Sequence, residues 1–275
     1  MSNTRKVLYS ALVGNYDDIP ELKFKKEGWE YILFTDQTTA PEYNGWTIYP
    51  LQKVIINDNT RSCRWHKMHP HKLFDNATCS VYIDCNIILN SDFIYYRAEE
   101  LLNKDIKLAT IKHPFRDCIY DEAEACIAIG KDSPRTIEKQ ISKLKSENYP
   151  SNNGLFETNI FFRNHNYDAV SKFNESWWEM IYNGSKRDQL SMCYLTWKQN
   201  LKVDFLFPNK ETSARSSKDF NFKEAHNNSK VFREISQKEY TELIGAQKRL
   251  QSIRKLISYK IFCKLEIKLR SLFVK

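Results

Sequence analysis

The chain has 275 residues, of which 41% are hydrophobic and 13% aromatic, and a formal net charge of +8, so it can bury a sizeable core and is not intrinsically disordered. Its seven cysteines form no CxxC pair and have no zinc-finger spacing, which excludes a disulfide-rich scaffold and predicts free thiols in a reducing, cytoplasmic compartment. The N-terminal apolar run is too short for a signal peptide, and no run of about 18 uncharged apolar residues follows, so we expect no membrane span.

The first two predicted strands both end in polar residues. Residues 6–13 (KVLYSALV) run into a loop that contains Gly14, Tyr16 and Asp17, and residues 29–34 (WEYILF) run into Thr35 and Asp36. Open α/β sheets bind ligands at the carboxyl ends of their strands. Tyr16 is suited to stack on a nucleobase and Asp17 to accept a hydrogen bond from a ribose hydroxyl, but an ordinary polar turn explains the loop equally well.

A third strand, residues 46–51, is followed by a cationic helix at residues 59–74. Arg61, Arg64 and Lys67 recur every third residue and therefore lie along one side of this helix, which Pro70 should end or kink. These cations either face phosphate groups or form a solvated surface.

The central stretch is residues 80–89 (SVYIDCNIIL), where Asp84 and Asn86 interrupt an apolar, β-prone run. A buried carboxylate needs a partner, and two oxygen-bearing side chains two residues apart at a strand end suit a hard divalent cation. The competing interpretation is an aspartate that caps a turn beside a core strand.

Predicted strands and helices also alternate in the second half of the chain. A strand is predicted at residues 108–111, helices at 118–129, 133–147 and 167–182, and a strand at 154–163 that Glu157 interrupts. Ser185 is predicted to cap the next helix, which places Asp188 in its first turn. Asp188 either completes a capping box or acts on substrate.

In their order and spacing, several motifs together resemble one glycosyltransferase-like family of plant mucilage-related and bacterial polysaccharide proteins. The resemblance covers residues 5–200 and rests on YSALVGNYD, FTD, RxxRxxKxxPHKLF, YIDCNIIL, KHPFRDCIYDEAEAC, GLFETNIFFRNHN, WW and SKRDQLS. The chain is also distantly similar to the family-eight glycosyltransferases. The resemblance implies a GT-A-like, Rossmann-related mixed α/β sheet flanked by helices.

The resemblance also implies roles for individual residues. The expected metal ligands for Mn²⁺ or Mg²⁺ are Asp84, Asn86 and His226, although asparagine replaces the second acid of the usual D-x-D motif. The donor, expected to be a UDP-sugar, should contact Tyr16, Asp17, Asp36, Arg61, Arg64 and Lys67. Asp188 and Glu157 fall where related enzymes place catalytic or sugar-contacting carboxylates.

The C-terminal residues hold the entire net charge. Residues 247–275 contain nine lysines and arginines and one acid, Glu266, interleaved with leucines and isoleucines at steps of three or four. This pattern predicts a basic amphipathic helix, which either binds an anionic membrane surface or packs on protein. We therefore expect a glycosyltransferase domain at residues 1–235 and a helical tail at 236–275, peripheral on the inner face of the membrane.

The predicted function is transfer of a sugar from a nucleotide-sugar to a glycan or lipid-linked glycan acceptor in polysaccharide synthesis. The alternative is a non-catalytic glycan-binding or scaffold subunit that retains the fold. Nucleic-acid binding is not expected, because the excess charge is confined to one terminal segment and no RNA-binding motif is present. The sequence leaves open whether the reaction inverts or retains the anomeric configuration, and it leaves the oligomeric state open.

Overall fold

The structure is a computed structural model, and it describes residues 4–210 and 212–223. The predicted domain boundary at residue 235, the basic tail and His226 all lie outside the described residues, so these three features stay predictions. Among the described helices, none has the length and apolar character needed to span a membrane.

Strands and helices alternate along the chain. The strands are β1 (Arg5–Leu12), β2 (Trp29–Thr35), β3 (Glu42–Tyr43), β4 (Trp46–Pro50), β5 (Ala77–Ile83), β6 (Ile87–Leu89), β7 (Leu108–Lys112), β8 (Phe156–Asn164), β9 (Val203–Phe205) and β10 (Phe220–Phe222). The helices are α1 (Asn59–Met68), α2 (Pro70–Leu73), α3 (Phe93–Asn103), α4 (Ile119–Ala128), α5 (Pro134–Ser146), α6 (Asp168–Asn183) and α7 (Gln189–Lys198).

Eight strands form one mixed sheet in the order β3-β4-β2-β1-β5-β8-β7-β9. Strands β4, β2, β1 and β5 are mutually parallel, whereas β8 runs antiparallel to both β5 and β7. The carboxyl ends of β1, β2, β5 and β7 therefore meet the amino end of β8 at one edge of the sheet.

The sheet is buried on both faces, which explains the near-continuous apolar runs of its central strands. On one face, Tyr9 and Phe161 pack against Phe173 and Trp177 of α6. On the other face, Leu8 and Val81 belong to the cluster that includes Tyr95 of α3. The predicted fold class, a Rossmann-related mixed α/β sheet flanked by helices, is confirmed.

The run at residues 80–89 is divided where Asp84 and Asn86 interrupt it, because a turn closed by the Ile87 N–H donating to the Asp84 carbonyl (3.0 Å) separates β5 from β6. Strand β6 pairs with β10 in a separate two-stranded sheet. The predicted cap at Ser185 was wrong. Helix α7 begins at Gln189 with Asp188 as its N-cap residue, and the Ser185 hydroxyl donates to Asp132 (2.8 Å).

We expect α6 to stabilise the domain through its buried aromatic face. Phe173 is completely buried, so Phe173→Ala should lower the free energy of unfolding by about 3–5 kcal/mol. Tyr182→Ala on the same helix is the control, because Tyr182 is 56% exposed, and it should cost much less. Urea denaturation of both variants measures the difference, and equal losses would contradict this account of the core.

Candidate active site

The edge of the sheet where four strands end collects most of the predicted site residues. Tyr16 and Asp17 follow β1, Asp36 follows β2, and Asp84 follows β5. Glu157 is the second residue of β8, which starts at the same edge because it runs in the opposite direction. Helix α1 and the N-terminus of α7 add charged side chains to this edge.

The loop after β1 is held in place by the residues that follow β2. The Gly14 backbone N–H donates to Asp36 Oδ1 (2.7 Å), and the Gln37 amide donates to the Asp17 carbonyl (2.6 Å). Gly14 has a positive φ of 59°, a conformation that glycine adopts without a steric penalty. Asp36 therefore positions the loop, whether or not it also contacts a nucleoside.

Tyr16 brings this loop to the charged part of the site. Its side chain is 48% exposed and so is available to a ligand. Partial burial raises the pKa of the Tyr16 hydroxyl, Asp17 adds to the shift, and the positive charges of Arg64 and Arg187 oppose it. The predicted base-stacking residue thus lies within electrostatic range of two arginines.

Lys67 and Asp188 form a buried ion pair at the centre of the site. Lys67 Nζ donates to Asp188 Oδ2 at 2.6 Å, and both side chains are almost wholly inaccessible to solvent. The Thr158 hydroxyl donates to the same oxygen at 2.9 Å. Asp188 makes no side-chain cap hydrogen bond, so the capping-box interpretation of this residue was wrong. Lys67 holds a carboxylate rather than exposing its ammonium to a ligand.

The pKa values of this pair follow from burial and from neighbouring charges. Burial acts to raise the pKa of Asp188, but Arg64, Lys67 and Arg187 overcome it and hold that pKa well below its usual range. Burial lowers the pKa of Lys67, and the two aspartates counteract the shift only in part. Asp188 is accordingly a fixed anion that organises cations.

Arg64 lies between the two aspartates. Its Nε is 3.4 Å from Asp188 Oδ2, and its Nη1 is 3.8 Å from Asp84 Oδ1. Nε is buried and has no hydrogen-bond partner among the described residues. A guanidinium that is held by ion pairs but retains an unused donor is prepared to bind a further anion.

Arg61 does not join this cluster, although it precedes Arg64 by one helical turn. Its Nη1 pairs with Asp58 Oδ2 (2.5 Å), and its Nε and Nη2 donate to the carbonyls of Ile181 and Gly184 (2.9 and 2.7 Å). Those carbonyls lie at the C-terminal end of α6. The structure therefore shows Arg61 tying α1 to α6, whereas Arg64 and Lys67 face the site.

Glu157 is a buried carboxylate whose negative charge is only partly balanced by neighbouring groups. It is buried, its Oε2 has no hydrogen-bond partner among the described residues, and its Oε1 is 3.8 Å from Arg215 Nε. Burial raises the pKa of Glu157, and Arg215 opposes that shift only in part. A buried carboxyl group whose pKa is raised is better suited to exchange a proton than one whose pKa is held low.

Sequence reasoning missed a second charged group beside Glu157, which we call the α4 cluster (His113, Arg116, Glu122 and Arg187). Glu122 is buried, accepts from Arg116 Nε at 2.5 Å and lies 3.7 Å from His113 Nε2. Burial lowers the pKa of His113 to about 4, so its ring is neutral at physiological pH. A signal for this cluster was present, because Glu122 shares the apolar helical face of Ile119, Ala123 and Cys126.

Two of the three predicted metal ligands, Asp84 and Asn86, lie within the described residues and can be tested for their fit to a metal ion. Asp84 and Asn86 lie in the turn after β5, and no group of three histidines, cysteines or acids in the described part of the chain could hold a metal ion. Magnesium, however, is commonly held by one or two carboxylates together with substrate phosphates and water. One carboxylate and one amide oxygen fit that pattern when a diphosphate supplies further ligands.

A family model and a curated relative point to the same family. A family model described as TOD1/MUCI70, glycosyltransferase-like domain, matches residues 1–226. The chain is 24% identical over 209 residues to the "Probable hexosyltransferase MUCI70" of Arabidopsis thaliana, a match that covers 67% of this chain and 36% of that protein. The chain thus spans about a third of the length of that relative.

A similar solved structure is the apo form of WbbM, a bifunctional glycosyltransferase. It has 10% sequence identity and a TM-score of 0.40, and the match covers 74% of this chain and 39% of that one.

We expect the pair of Lys67 and Asp188 to be energetically coupled. Lys67→Met leaves a buried carboxylate without its closest cation and should cost about 3–5 kcal/mol of unfolding free energy. Lys67→Met combined with Asp188→Asn should recover much of that loss. The control is Lys72→Met, because Lys72 pairs with Glu175 at the surface and should contribute about 1 kcal/mol or less. Urea denaturation of wild type, Lys67→Met, Asp188→Asn and the double variant gives the coupling energy, and strictly additive effects would contradict it.

The raised pKa of Glu157 predicts a pH-dependent stability. A carboxyl group whose folded pKa exceeds its unfolded value stabilises the fold fully below the unfolded pKa, about 4.3, and that contribution is lost as pH rises through the folded pKa. Glu157→Gln removes this dependence, so the variant should gain stability relative to wild type as pH rises from about 4.3 through the folded pKa. Denaturation at several pH values checks this. Glu138→Gln, at an exposed position, is the control, and parallel curves for Glu157→Gln and wild type would refute the prediction.

Proposed function

The chain belongs to the TOD1/MUCI70 glycosyltransferase-like domain family, and on that premise we propose that it transfers a hexose from a nucleotide-sugar, with UDP as the nucleotide, to a hydroxyl group of a glycan or lipid-linked glycan. The observation that supports this most directly is the convergence of Tyr16, Arg64 and Asp84 at one edge of the sheet. A base-stacking ring, a phosphate-binding cation and an oxygen ligand are the groups that a sugar nucleotide requires.

Departure of the diphosphate is the step for which the cations are suited. As the bond between the anomeric carbon and the phosphate oxygen breaks, negative charge grows on that oxygen and positive charge on the sugar ring. Arg64 and Arg187 each have a buried Nε without a hydrogen-bond partner among the described residues, and the positive charges of both act on the neighbouring Tyr16, so both can stabilise a phosphate electrostatically. Donors that are already in position stabilise a developing charge without the cost of reorganisation.

The buried ion pair keeps these donors in position. Asp188 attracts Arg64, Lys67 and Arg187 together, and Thr158 and Lys67 hold its carboxylate still. This geometry assigns Asp188 a positioning role. Because its pKa is held so low, Asp188 is a poor proton acceptor, and its proposed role as a catalytic base has less support than that of Glu157.

Glu157 is the best placed residue to handle the acceptor proton. Its unpartnered Oε2 can accept a hydrogen bond from a sugar hydroxyl, and its raised pKa brings its protonation equilibrium closer to neutral pH. In an inverting reaction Glu157 would deprotonate the acceptor hydroxyl. In a retaining reaction it would orient the donor sugar, and the departing phosphate would assist the proton transfer.

A divalent cation fits the donor side of this site. Asp84 and Asn86 would hold Mn²⁺ or Mg²⁺ together with the donor phosphates, and the ion would neutralise part of the diphosphate charge. Arg64 and Lys67 lie 3.8 and 3.9 Å from Asp84 Oδ1, so part of the Asp84 charge is already balanced by protein groups. We therefore propose that the metal strengthens donor binding and that Arg64 contributes to it independently.

Calorimetric titration with UDP, with and without Mn²⁺, tests the donor site. We expect Mn²⁺-dependent binding by wild type, loss of that dependence in Asp84→Ala, and about 10- to 100-fold weaker binding in Arg64→Ala. Asp75→Ala is the matched control, because Asp75 precedes β5 whereas Asp84 follows it, and binding should be unchanged.

Hydrolysis of a set of UDP-hexoses by wild type and Glu157→Gln then tests turnover. Glu157→Gln should bind UDP normally and lose most of the activity. If the folded wild-type protein binds no nucleoside diphosphate, the proposal fails, and a non-catalytic glycan-binding or scaffold role becomes the better explanation.

A further inference from the structure

A surface cavity of about 310 Å³ lies beside the C-terminal half of α7. It is separate from the candidate active site, although the two share strand β8. Phe156 lines the cavity, and the next residue, Glu157, belongs to the site. Successive side chains of a strand point to opposite faces of the sheet, so the cavity opens on the other side of the strand.

One wall of the cavity is the indole ring of Trp197, which is 41% exposed. The ring is fixed by edge contacts with Tyr149, whose ring centre is 5.4 Å away at an interplanar angle of 78°. Tyr194 supports it from within the same helix, at 6.3 Å between ring centres. A partly exposed indole that is held in a fixed orientation offers a flat apolar face to a ligand.

Polar side chains surround this ring. Asn153, Asn200 and Lys202 are exposed at the cavity, above an apolar floor formed by Phe156 and Val203. The Asn153 amide is oriented by donating to the Tyr149 hydroxyl (3.4 Å). An apolar surface with a few oriented polar groups is the usual composition of a small-molecule site, and such sites occupy about 300–1,000 Å³.

Asn200 occupies a backbone position where glycine is usual. It follows the end of α7 with a φ of +50°, and the N–H groups of Asn200 and Leu201 donate to the carbonyls of Trp197 and Thr196 (3.1 and 2.8 Å). This is a Schellman motif, in which glycine avoids the strain of the left-handed conformation. Asparagine at this position retains an amide at the cavity.

We propose that this cavity binds a sugar unit of a glycan chain, a proposal that rests on the glycosyltransferase function above for the class of ligand. The apolar C–H face of a hexose stacks on the Trp197 indole, and its hydroxyl groups exchange hydrogen bonds with Asn153, Asn200 and Lys202. The volume, at the lower end of the range for ligand sites, accommodates a short segment rather than a long chain.

A glycan held here stays near the active site. Helix α7 connects the two places, because its N-cap residue is Asp188 and its last turn carries Trp197. Tethering an acceptor at a second site raises its effective concentration at the first. The cavity would therefore favour polymeric acceptors over single sugars.

Saturation-transfer NMR on the full chain with methyl glucoside, methyl galactoside, methyl mannoside and methyl N-acetylglucosaminide tests the proposal. We expect at least one of them to receive saturation from the protein. Trp197→Ala should bind it about three- to tenfold more weakly, the loss expected for an aromatic contact. Tyr182→Ala, which removes a more accessible aromatic ring on α6, should leave binding unchanged.

Asn200→Gly provides a second variant that does not endanger folding. Glycine relieves the strained backbone and removes only the amide, so the variant should be at least as stable as wild type and still bind the glycoside more weakly. Binding that persists undiminished in both variants, or the absence of binding by all four glycosides, overturns the proposal. UDP titration of the same variants separates the two hypotheses, because donor binding should be unchanged when only the cavity is altered.

Discussion

The buried ion pair between Lys67 and Asp188 is the constraint on which the site depends. It joins α1 to the N-terminus of α7, and Thr158 connects it to β8. Burying two charges costs several kcal/mol of desolvation per ion, which a single hydrogen bond does not offset, so the pair needs the additional partners that it has. Those partners are Arg64 and Asp84, and the same interactions that make the pair tolerable also assemble the charges of the site.

Two carboxylates in this site have opposite environments. Asp188 is surrounded by cations and stays ionised, whereas Glu157 is buried beside one arginine and has a raised pKa. Such a difference separates a group that organises charge from one that exchanges a proton. The two environments differ because Asp188 follows a loop that approaches α1, whereas Glu157 lies at the start of β8, next to the α4 cluster. The family assignment and this geometry support the same proposal of glycosyl transfer.

Several parts of the fold and the site were predictable from sequence because their cause is local. Apolar runs predicted β1, β2, β4, β7 and β8, and spacing predicted that Arg64 and Lys67 lie along one side of α1. The structure places both beside the strand-end aspartate Asp84. Predictions failed where local and tertiary interactions compete. Ser185 has the chemistry of an N-cap residue but bonds to Asp132, 53 positions earlier, and Arg61 has the spacing of Arg64 but the partners of α6.

By itself, the sequence determined the α/β class, the alternation of strands and helices, and the chemical types present at each strand end, because hydrophobic periodicity and side-chain chemistry are properties of short segments. Only the tertiary structure decided which of those groups meet. The antiparallel insertion of β8 between β5 and β7 brings Glu157 to the edge where Asp84 lies, and no local pattern encodes that strand order. Nor does any local pattern encode burial by distant segments, which separates the protonation preferences of Asp188 and Glu157 and leaves Trp197 exposed beside its cavity.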